Sequence, residues 1–326
     1  MIASASPGST RLGRYDGPIS RDELTEGQRT GPEAFVNAGA LATASWLAER
    51  LDDPAVKIID ARYIVEMDDQ GRFNEVPGRG SFLDSHIRGA VFLDLDDLQD
   101  AARPAHIVDG DTFEDVMSRL GIGNDDEVVV YDTDGGVWAA RIWWALRLYG
   151  HDAVRILDGG FTNWVREELP VDSGDYSVES ARFVTRPQPN LRVEVEDVVL
   201  AMSDPEVAIV DGLTEPFHDG SVRLFPRLPA GHIPGAVNIP APSNLDPDTD
   251  RLLPVADVVE LWRPVIGSSE RIITYCGRGM YGAFDLFILH LLGYEAALYD
   301  GSWEEWAATE GLPISTSLAV PEEEDR

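Results

Sequence analysis

The stretch that decides the fold runs from Arg271 to Gly293 and reads Arg-Ile-Ile-Thr-Tyr-Cys-Gly-Arg-Gly-Met-Tyr-Gly-Ala-Phe-Asp-Leu-Phe-Ile-Leu-His-Leu-Leu-Gly. Its first part, Arg271–Tyr275, predicts a short β-strand, and Tyr281–Leu292 predicts a mostly apolar helix that ends at Gly293. A strand, a glycine-rich loop and a helix in this order direct backbone N–H groups and the positive helix end toward the loop. The sequence therefore predicts an anion site in this loop.

The loop contains Cys276, the only cysteine of the 326-residue chain. A lone cysteine is commonly a small buried hydrophobe, but glycines and an arginine suit an open anion site better than a packed core. A thiol near a helix N-terminus is biased toward the nucleophilic thiolate. We therefore predict that Cys276 is the nucleophile. For Met280 and Tyr281 a plain helix start is an equally good interpretation. The residues expected to bind the substrate or persulfide are Gly277, Arg278, Gly279, Met280, Tyr281 and Gly282.

The charge of the chain excludes two classes of partner. Acidic residues outnumber basic ones by 58 to 26, the formal net charge is −32, and Lys57 is the only lysine. Such a surface repels nucleic acids and anionic membranes, so we expect neither as a partner. An acid-rich, lysine-poor chain resembles proteins of salt-loving organisms, in which salt screens the self-repulsion. We further expect a cytoplasmic protein without a secretory signal, transmembrane helix, disulfide, metal or cofactor.

An internal repeat predicts two copies of one α/β domain. The spacing between the paired segments is nearly constant along the chain. Alternating strands and helices predict, in each copy, a mostly parallel sheet flanked by helices, with ligands bound at the carboxyl ends of the strands. The pairs are Val56–Asp60 with Val207–Asp211, His86–Val91 with His232–Val237, Val128–Asp132 with Ile272–Cys276, and Leu157–Trp164 with Tyr299–Trp306.

The repeat also divides the chain. We predict a flexible arm over residues 1–30, a first domain over 31–175, a linker over 176–190, a second domain over 191–318 and an acidic tail over 319–326. Val36–Arg50 predicts a helix capped by Thr43 or Ser45. Asp132 of the first copy aligns with Cys276 of the second. Because a carboxylate cannot replace a thiolate as a sulfur nucleophile, only the second copy is expected to be catalytic.

These features together resemble the two-domain rhodaneses, which include thiosulfate sulfurtransferase and 3-mercaptopyruvate sulfurtransferase. The resemblance covers residues 36–316 and depends on the duplicated domain, His-Ile-x-Gly-Ala, Cys-Gly-x-Gly and Asp-Gly-x-x-x-x-Trp. It implies two tandem rhodanese-like domains, the first of them inactive. It also implies a persulfide on Cys276, whose sulfur passes to cyanide or a thiol in two ping-pong half-reactions.

The residues that follow the cysteine bear on the sulfur donor. In the thiosulfate enzymes the cysteine loop is similar to Cys-Arg-Lys-Gly, and in the mercaptopyruvate enzymes it is similar to Cys-Gly-Ser-Gly. This chain combines Gly277, as in the second pattern, with the cationic Arg278, as in the first. His86 matches the family histidine of the first domain, but the serine that acts with this histidine in the mercaptopyruvate enzymes is absent. We therefore expect thiosulfate as the donor. The alternatives are 3-mercaptopyruvate as donor, a persulfide carrier or regulatory module without turnover, and a phosphatase of the same fold, which would need an arginine at Gly282.

The chain departs from the family pattern after the strand-ending Asp211, where the usual arginines are missing. Arg223 and Arg227 are the nearest substitutes for a substrate clamp, although both could equally be solvated loop charges. Asp211 is expected to hydrogen-bond the active-site loop or to cap a turn. His86 could orient the site, but since both copies carry such a histidine, a structural role is the favoured interpretation.

Overall fold

Each half of the chain folds around its own five-stranded parallel β-sheet. The structure, a computed structural model, describes residues 34–67, 73–175, 177–267 and 269–317. The predicted arm over residues 1–30 and the predicted tail over residues 319–326 lie outside these ranges. The strands are, in chain order, β1 (Leu41–Ala42), β2 (Val56–Asp60), β3 (Tyr63–Met67), β4 (Phe73–Pro77), β5 (His86–Ile87), β6 (Ala90–Phe92), β7 (Gln99–Asp100), β8 (Arg103–Ile107), β9 (Glu127–Tyr131), β10 (Val154–Leu157), β11 (Val171–Asp172), β12 (Arg192–Val193), β13 (Val207–Asp211), β14 (Val237–Asn238), β15 (Arg271–Tyr275) and β16 (Ala296–Tyr299).

Helices connect and cover the strands. Among the residues that the structure describes, every helix is too short or too polar to cross a bilayer. Short 3-10 helices span Ala38–Ala40, Leu95–Leu98, Pro189–Leu191 and Ala241–Asn244. The α-helices are α1 (Ala44–Ala48), α2 (Arg79–Asp84), α3 (Gly110–Arg119), α4 (Ala139–Leu148), α5 (Gly160–Arg166), α6 (Val195–Ala201), α7 (Glu215–His218), α8 (Val255–Trp262), α9 (Met280–Leu291) and α10 (Ser302–Ala308).

The two large sheets have the same topology. The first has the order β1-β10-β9-β2-β6 and the second the order β12-β16-β15-β13-β14, with every neighbouring pair parallel. In register, Asp60 lies opposite Tyr131 and Asp211 opposite Tyr275. Minor antiparallel pairs join β3 to β4, β7 to β8 and β11 to β5. The α/β architecture predicted from the repeat is confirmed, including the equivalence of its halves.

The local predictions hold around the decisive stretch and fail near the start of the described chain. Strand β15 spans the predicted residues, α9 spans Met280–Leu291, and Gly293 follows it with a φ of +84°. The single helix predicted over Val36–Arg50 is wrong. The chain there forms a 3-10 turn, β1 and the short α1, whose N-cap Thr43 accepts the Trp46 N–H. Pairing of β1 with β10 overrides the local helical preference.

Helices α4 and α9 join the two halves. The Trp143 and Phe287 rings are 4.9 Å apart, and both belong to one apolar core that contains residues of both sheets. Trp138 and Tyr281 meet at the start of the helices, and Arg147 contacts His290 near their ends. The helices therefore run in the same direction, and the loops that precede them lie at one end of the interface.

Candidate active site

Cys276 follows strand β15 directly and is 3% exposed. Its sulfur is hydrogen-bonded by the backbone N–H groups of Arg278, Gly279 and Gly282. Gly279 has a φ of +79°, which a side chain would disfavour, and this turn aims the N–H groups inward. The Cys276 loop (residues 276–282) therefore has the anion-binding geometry that the glycine pattern predicts.

The ionisation of Cys276 differs from the prediction. Burial raises the pKa of the Cys276 thiol, and the negative charge of Asp211 adds to this, while the N–H bonds from Gly282, Arg278 and Gly279 oppose it. Because the loss of hydration outweighs these bonds, the predicted bias toward thiolate is wrong for the free thiol. The three N–H groups instead favour any anion that forms on or beyond the sulfur.

The first turn of α10 holds the Cys276 loop. The Ser302 hydroxyl accepts the Cys276 N–H at 3.3 Å and donates to the Tyr299 carbonyl at 2.9 Å. The backbone N–H of Trp303 donates to the Cys276 carbonyl at 2.9 Å. Ser302 has a φ of +51°, and its counterpart Gly160 in the first copy has +52°. Sequence analysis missed Ser302. The signal was that the repeat has Gly160 at this position in the first copy but a serine in the second, and a non-glycine residue with positive φ often marks a functional site.

Arg278 is paired and does not stand free beside the sulfur. Its Nε donates to Glu304 Oε2 at 2.8 Å and its Nη2 to Oε1 at 3.0 Å. Its guanidinium lies 5.0 Å from the centre of the Phe225 ring. The positive charge predicted at Arg278 is therefore shared with a carboxylate that α10 places next to it, and substrate binding by Arg278 stays a prediction.

Asp211, the last residue of β13, binds a turn and a histidine close to the Cys276 loop. Its carboxylate is fully buried, accepts the Leu213 N–H at 3.0 Å, and pairs with His218 Nδ1 at 2.8 Å. The Tyr275 hydroxyl also donates to it. These contacts cap a turn, as the alternative interpretation had it, and none of them joins its side chain to Gly277–Gly282. Nothing in the sequence pointed to His218.

The two turn histidines make equivalent contacts. His86 Nδ1 lies 2.8 Å from the Phe82 carbonyl oxygen, and the His86 imidazole stacks on the Phe82 ring. In the second copy, His232 Nδ1 lies 2.7 Å from the His218 carbonyl oxygen, and the two imidazoles stack on each other. Because the copy without a cysteine makes the same contacts, they support the structural interpretation of His86. A role of His86 in orienting the site stays a prediction.

The segment with Arg223 and Arg227 borders the site. Both arginines are exposed. The residues between them include Leu224 and Phe225, which lie against the Cys276 loop: a Cβ built on Gly277 would be 2.7 Å from Leu224 Cδ2 and 3.7 Å from Phe225 Cζ. This places the arginines at the rim, and their role as a clamp stays a prediction.

Side chains of the first domain border the Cys276 loop. The half-buried Tyr281 faces Trp138, with 6.3 Å between ring centres. Arg141 is buried, and its Nη1 lies 2.6 Å from Asp300 Oδ1. A Cβ built on Gly279 would lie 2.6 Å from that nitrogen. An ion pair between the domains, which sequence analysis missed, therefore lies directly behind the Cys276 loop. Met280 is half-buried at the start of α9, as expected for a helix start.

Comparisons with known proteins agree with this architecture. The family model of the rhodanese-like domain matches residues 43–167 and 194–309. The chain is 34% identical to 3-mercaptopyruvate sulfurtransferase of Escherichia coli (strain K12) over 275 residues, 83% of this chain and 96% of the relative. It is 32% identical to the mitochondrial thiosulfate/3-mercaptopyruvate sulfurtransferase 1 of Arabidopsis thaliana, covering 85% of this chain and 78% of the relative.

A solved structure gives the same result. The crystal structure of SseA from Escherichia coli, a 3-mercaptopyruvate sulfurtransferase, superposes with a TM-score of 0.72 at 32% identity. The match covers 81% of this chain and 98% of SseA. With two matching domains, a common fold and a cysteine loop at the domain interface, the chain belongs to the rhodanese family of sulfurtransferases.

Proposed function

We propose that this protein transfers sulfur from 3-mercaptopyruvate to cyanide or a thiol through a persulfide on Cys276. The observation that carries the proposal is the set of N–H groups from Arg278, Gly279 and Gly282 around the sulfur of the only cysteine. Such donors stabilise a negative charge that forms in the reaction. The first domain, with Asp132 in place of the cysteine, is proposed to be inactive.

The donor half-reaction transfers one sulfur atom. The Cys276 thiolate attacks the sulfur of 3-mercaptopyruvate, and an S–S bond forms while the carbon–sulfur bond breaks. The bonding electron pair leaves with the carbon as the enolate of pyruvate, which takes up the proton of the donor thiol. The products are pyruvate and a Cys276 persulfide anion, whose outer sulfur is proposed to accept hydrogen bonds from the loop N–H groups.

The acceptor half-reaction restores the enzyme. Cyanide attacks the outer sulfur, the S–S bond breaks, and its electron pair returns to Cys276 as thiolate while thiocyanate leaves. A thiol acceptor would leave as a persulfide in the same way. Arg223 and Arg227, at the rim, are proposed to attract the anionic donor.

The donor assignment reverses the first expectation. Arg278 favoured thiosulfate as a cation that suits a dianion, but its pairing with Glu304 offsets that charge and weakens the argument. The names of the relatives favour 3-mercaptopyruvate, and the Arabidopsis thaliana relative carries both donors in its name. Thiosulfate therefore remains the second candidate.

The test measures turnover with cyanide, with the two donors side by side and Cys276→Ala as the control. We expect faster turnover with 3-mercaptopyruvate and none in the variant. Faster turnover with thiosulfate would overturn the donor assignment. A stable persulfide on Cys276 without turnover would instead identify a sulfur carrier.

A further inference from the structure

Glu304 contacts the Cys276 loop through both its backbone and its side chain. Its N–H donates to the Gly277 carbonyl at 3.1 Å. Its two carboxylate oxygens accept from Arg278 at 2.8 and 3.0 Å. A fork of two parallel bonds between arginine and carboxylate sets orientation as well as charge. Glu304 thus reduces the positive charge that Arg278 presents to a donor.

This ion pair is more enclosed than an ordinary surface pair. The Arg278 and Glu304 side chains are 35% and 27% exposed, against 60% and 53% for Arg263, directly after α8, and Glu260 on α8. The Phe225 ring covers one face of the Arg278 guanidinium. Partly buried charges are screened less by salt than exposed ones, so salt weakens the field of this pair less than that of the exposed pair.

The pair treats the two candidate donors differently. Thiosulfate carries two negative charges, whereas 3-mercaptopyruvate with a protonated thiol carries one. A free arginine would attract the dianion more strongly, but the carboxylate of Glu304 cancels this preference. The dianion still loses the hydration of its second charge on entering the site. Discrimination of this kind arises from a repulsive group built against the wrong ligand.

We propose that Glu304 is a specificity-determining residue, which disfavours dianionic sulfur donors relative to monoanionic ones by neutralising Arg278. The inference rests on the proposed function, since it concerns donors of the same Cys276 site. A purely structural role for Glu304, holding the loop in place, would change the turnover of both donors by the same factor. The two roles are therefore separable by experiment.

The test compares Glu304→Gln with the wild-type protein. The amide has the size of the carboxylate, can still accept one N–H from Arg278, and leaves the backbone bond to Gly277 intact. We expect kcat/KM for thiosulfate to rise about tenfold, and that for 3-mercaptopyruvate to change less than about threefold. The gain should shrink as salt is raised, because it is electrostatic. Glu260→Gln, which removes one charge from the exposed pair, is the matched control and should change neither donor.

A second variant makes the comparison decisive. In Glu304→Gln combined with Arg278→Gln the gain for thiosulfate should disappear, because the cation itself is then absent. The proposal is overturned if both donors change by the same factor, if the gain persists without Arg278, or if Glu260→Gln reproduces it. Thermal unfolding of each variant verifies that it is folded.

The outcome is distinguishable from failure of the proposed function. If the wild-type protein already prefers thiosulfate, the donor assignment fails, and a further rise in Glu304→Gln still supports the role of Glu304. If the wild-type protein shows no turnover, the rate of persulfide formation on Cys276 with each donor, followed by the mass increase of the protein, provides the same comparison. Absence of any persulfide overturns both.

Discussion

Asp132 and Cys276 occupy the same place in the two domains, and each accepts hydrogen bonds from the backbone two and six residues further along the chain. For Asp132 these donors are Asp134 at 2.9 Å and Trp138 at 2.8 Å, and for the Cys276 sulfur they are Arg278 and Gly282. The first domain therefore fills its anion-binding loop with its own carboxylate. The second leaves the corresponding N–H groups for a sulfur atom.

Asp132→Ala should destabilise the first domain. The change leaves the N–H groups of Asp134, Gly136, Trp138 and Ala139 without their acceptor in a buried loop. We expect a loss of about 2–4 kcal/mol in the free energy of unfolding, measured by urea denaturation. Asp52→Ala is the control: this carboxylate pairs with Arg88 at the surface and is 93% exposed, so its loss should change stability by less than about 0.5 kcal/mol. Equal effects would show that the Asp132 bonds contribute no more than a surface pair.

Sequence analysis succeeded where the signal was local or repeated. Strands β2, β13 and β15 have the predicted bounds because each is a short apolar run next to a polar residue. The repeat revealed the second copy, and the glycines predicted the Cys276 loop. These features depend on residues that are neighbours in the chain or recur at a fixed spacing.

The rest depends on contacts between distant segments. The partners of Arg278, Asp211 and Arg141 lie on other elements, and charge alone does not identify them in a chain with 58 acidic residues. The raised pKa of Cys276 follows from burial, which the loop sequence does not reveal. A strand pairing likewise overrode the helix predicted over Val36–Arg50.

Asp211→Asn should make Cys276 ionise more readily. The carboxylate raises the pKa of the Cys276 thiol through its negative charge, after the larger contribution of burial. Asparagine removes the charge and still accepts the Leu213 N–H. We expect the rate of alkylation by iodoacetamide, measured against pH, to shift to lower pH in the variant, while the wild-type midpoint lies above the ordinary thiol value of about 8.5. A midpoint below that value in the wild-type protein would contradict the effect of burial.

Arg141→Met should weaken the contact between the domains. It leaves Asp300 buried without the charge that lies 2.6 Å from it. Breaking a buried pair costs about 3–5 kcal/mol, but Asp300 keeps Arg192 at 3.8 Å and the Ile107 N–H at 2.9 Å, so we expect a loss of about 2–3 kcal/mol and a lower midpoint of thermal unfolding. The control variant is Arg263→Met, which removes a cation from an exposed pair; Arg263 and its partner Glu260 are 60% and 53% exposed, and we expect a loss of less than about 1 kcal/mol. Similar losses in the two variants would argue against a special role of Arg141.

Salt should stabilise the protein. A net charge of −32 repels itself, and this repulsion is screened over about 3 Å at 1 M salt against about 10 Å at 0.1 M. We expect the midpoint of thermal unfolding to rise steadily between 0.1 and 2 M KCl. The same series in sucrose, which carries no charge, separates screening from general exclusion effects. Equal stability in dilute and concentrated salt would contradict this prediction.

Asp285→Val should stabilise the protein, and more so at high pH. Asp285 is fully buried on α9, both of its carboxyl oxygens are without a hydrogen-bond partner among the described residues, and it packs against Gly212. Burial raises the pKa of Asp285 well above its ordinary range, and the charge of Asp211 adds to this effect. An aspartate in the unfolded chain loses its proton near pH 4, so the folded form is favoured below that pH and loses this advantage as the pH rises toward the raised folded value.

The valine side chain does not ionise and has no polar atom, so it removes both the pH dependence and the buried polar group of Asp285. The gain in the free energy of unfolding should therefore be larger at pH 8 than at pH 5, reaching about 1–3 kcal/mol in urea denaturation at constant salt. Asp285→Asn removes the ionisation but keeps a buried polar group, and should gain less. Asp257→Asn, on the exposed face of α8, is the control and should show no such pH dependence. A gain that is equal at both pH values would mean that cavity and packing changes, and not the buried carboxyl, determine the effect.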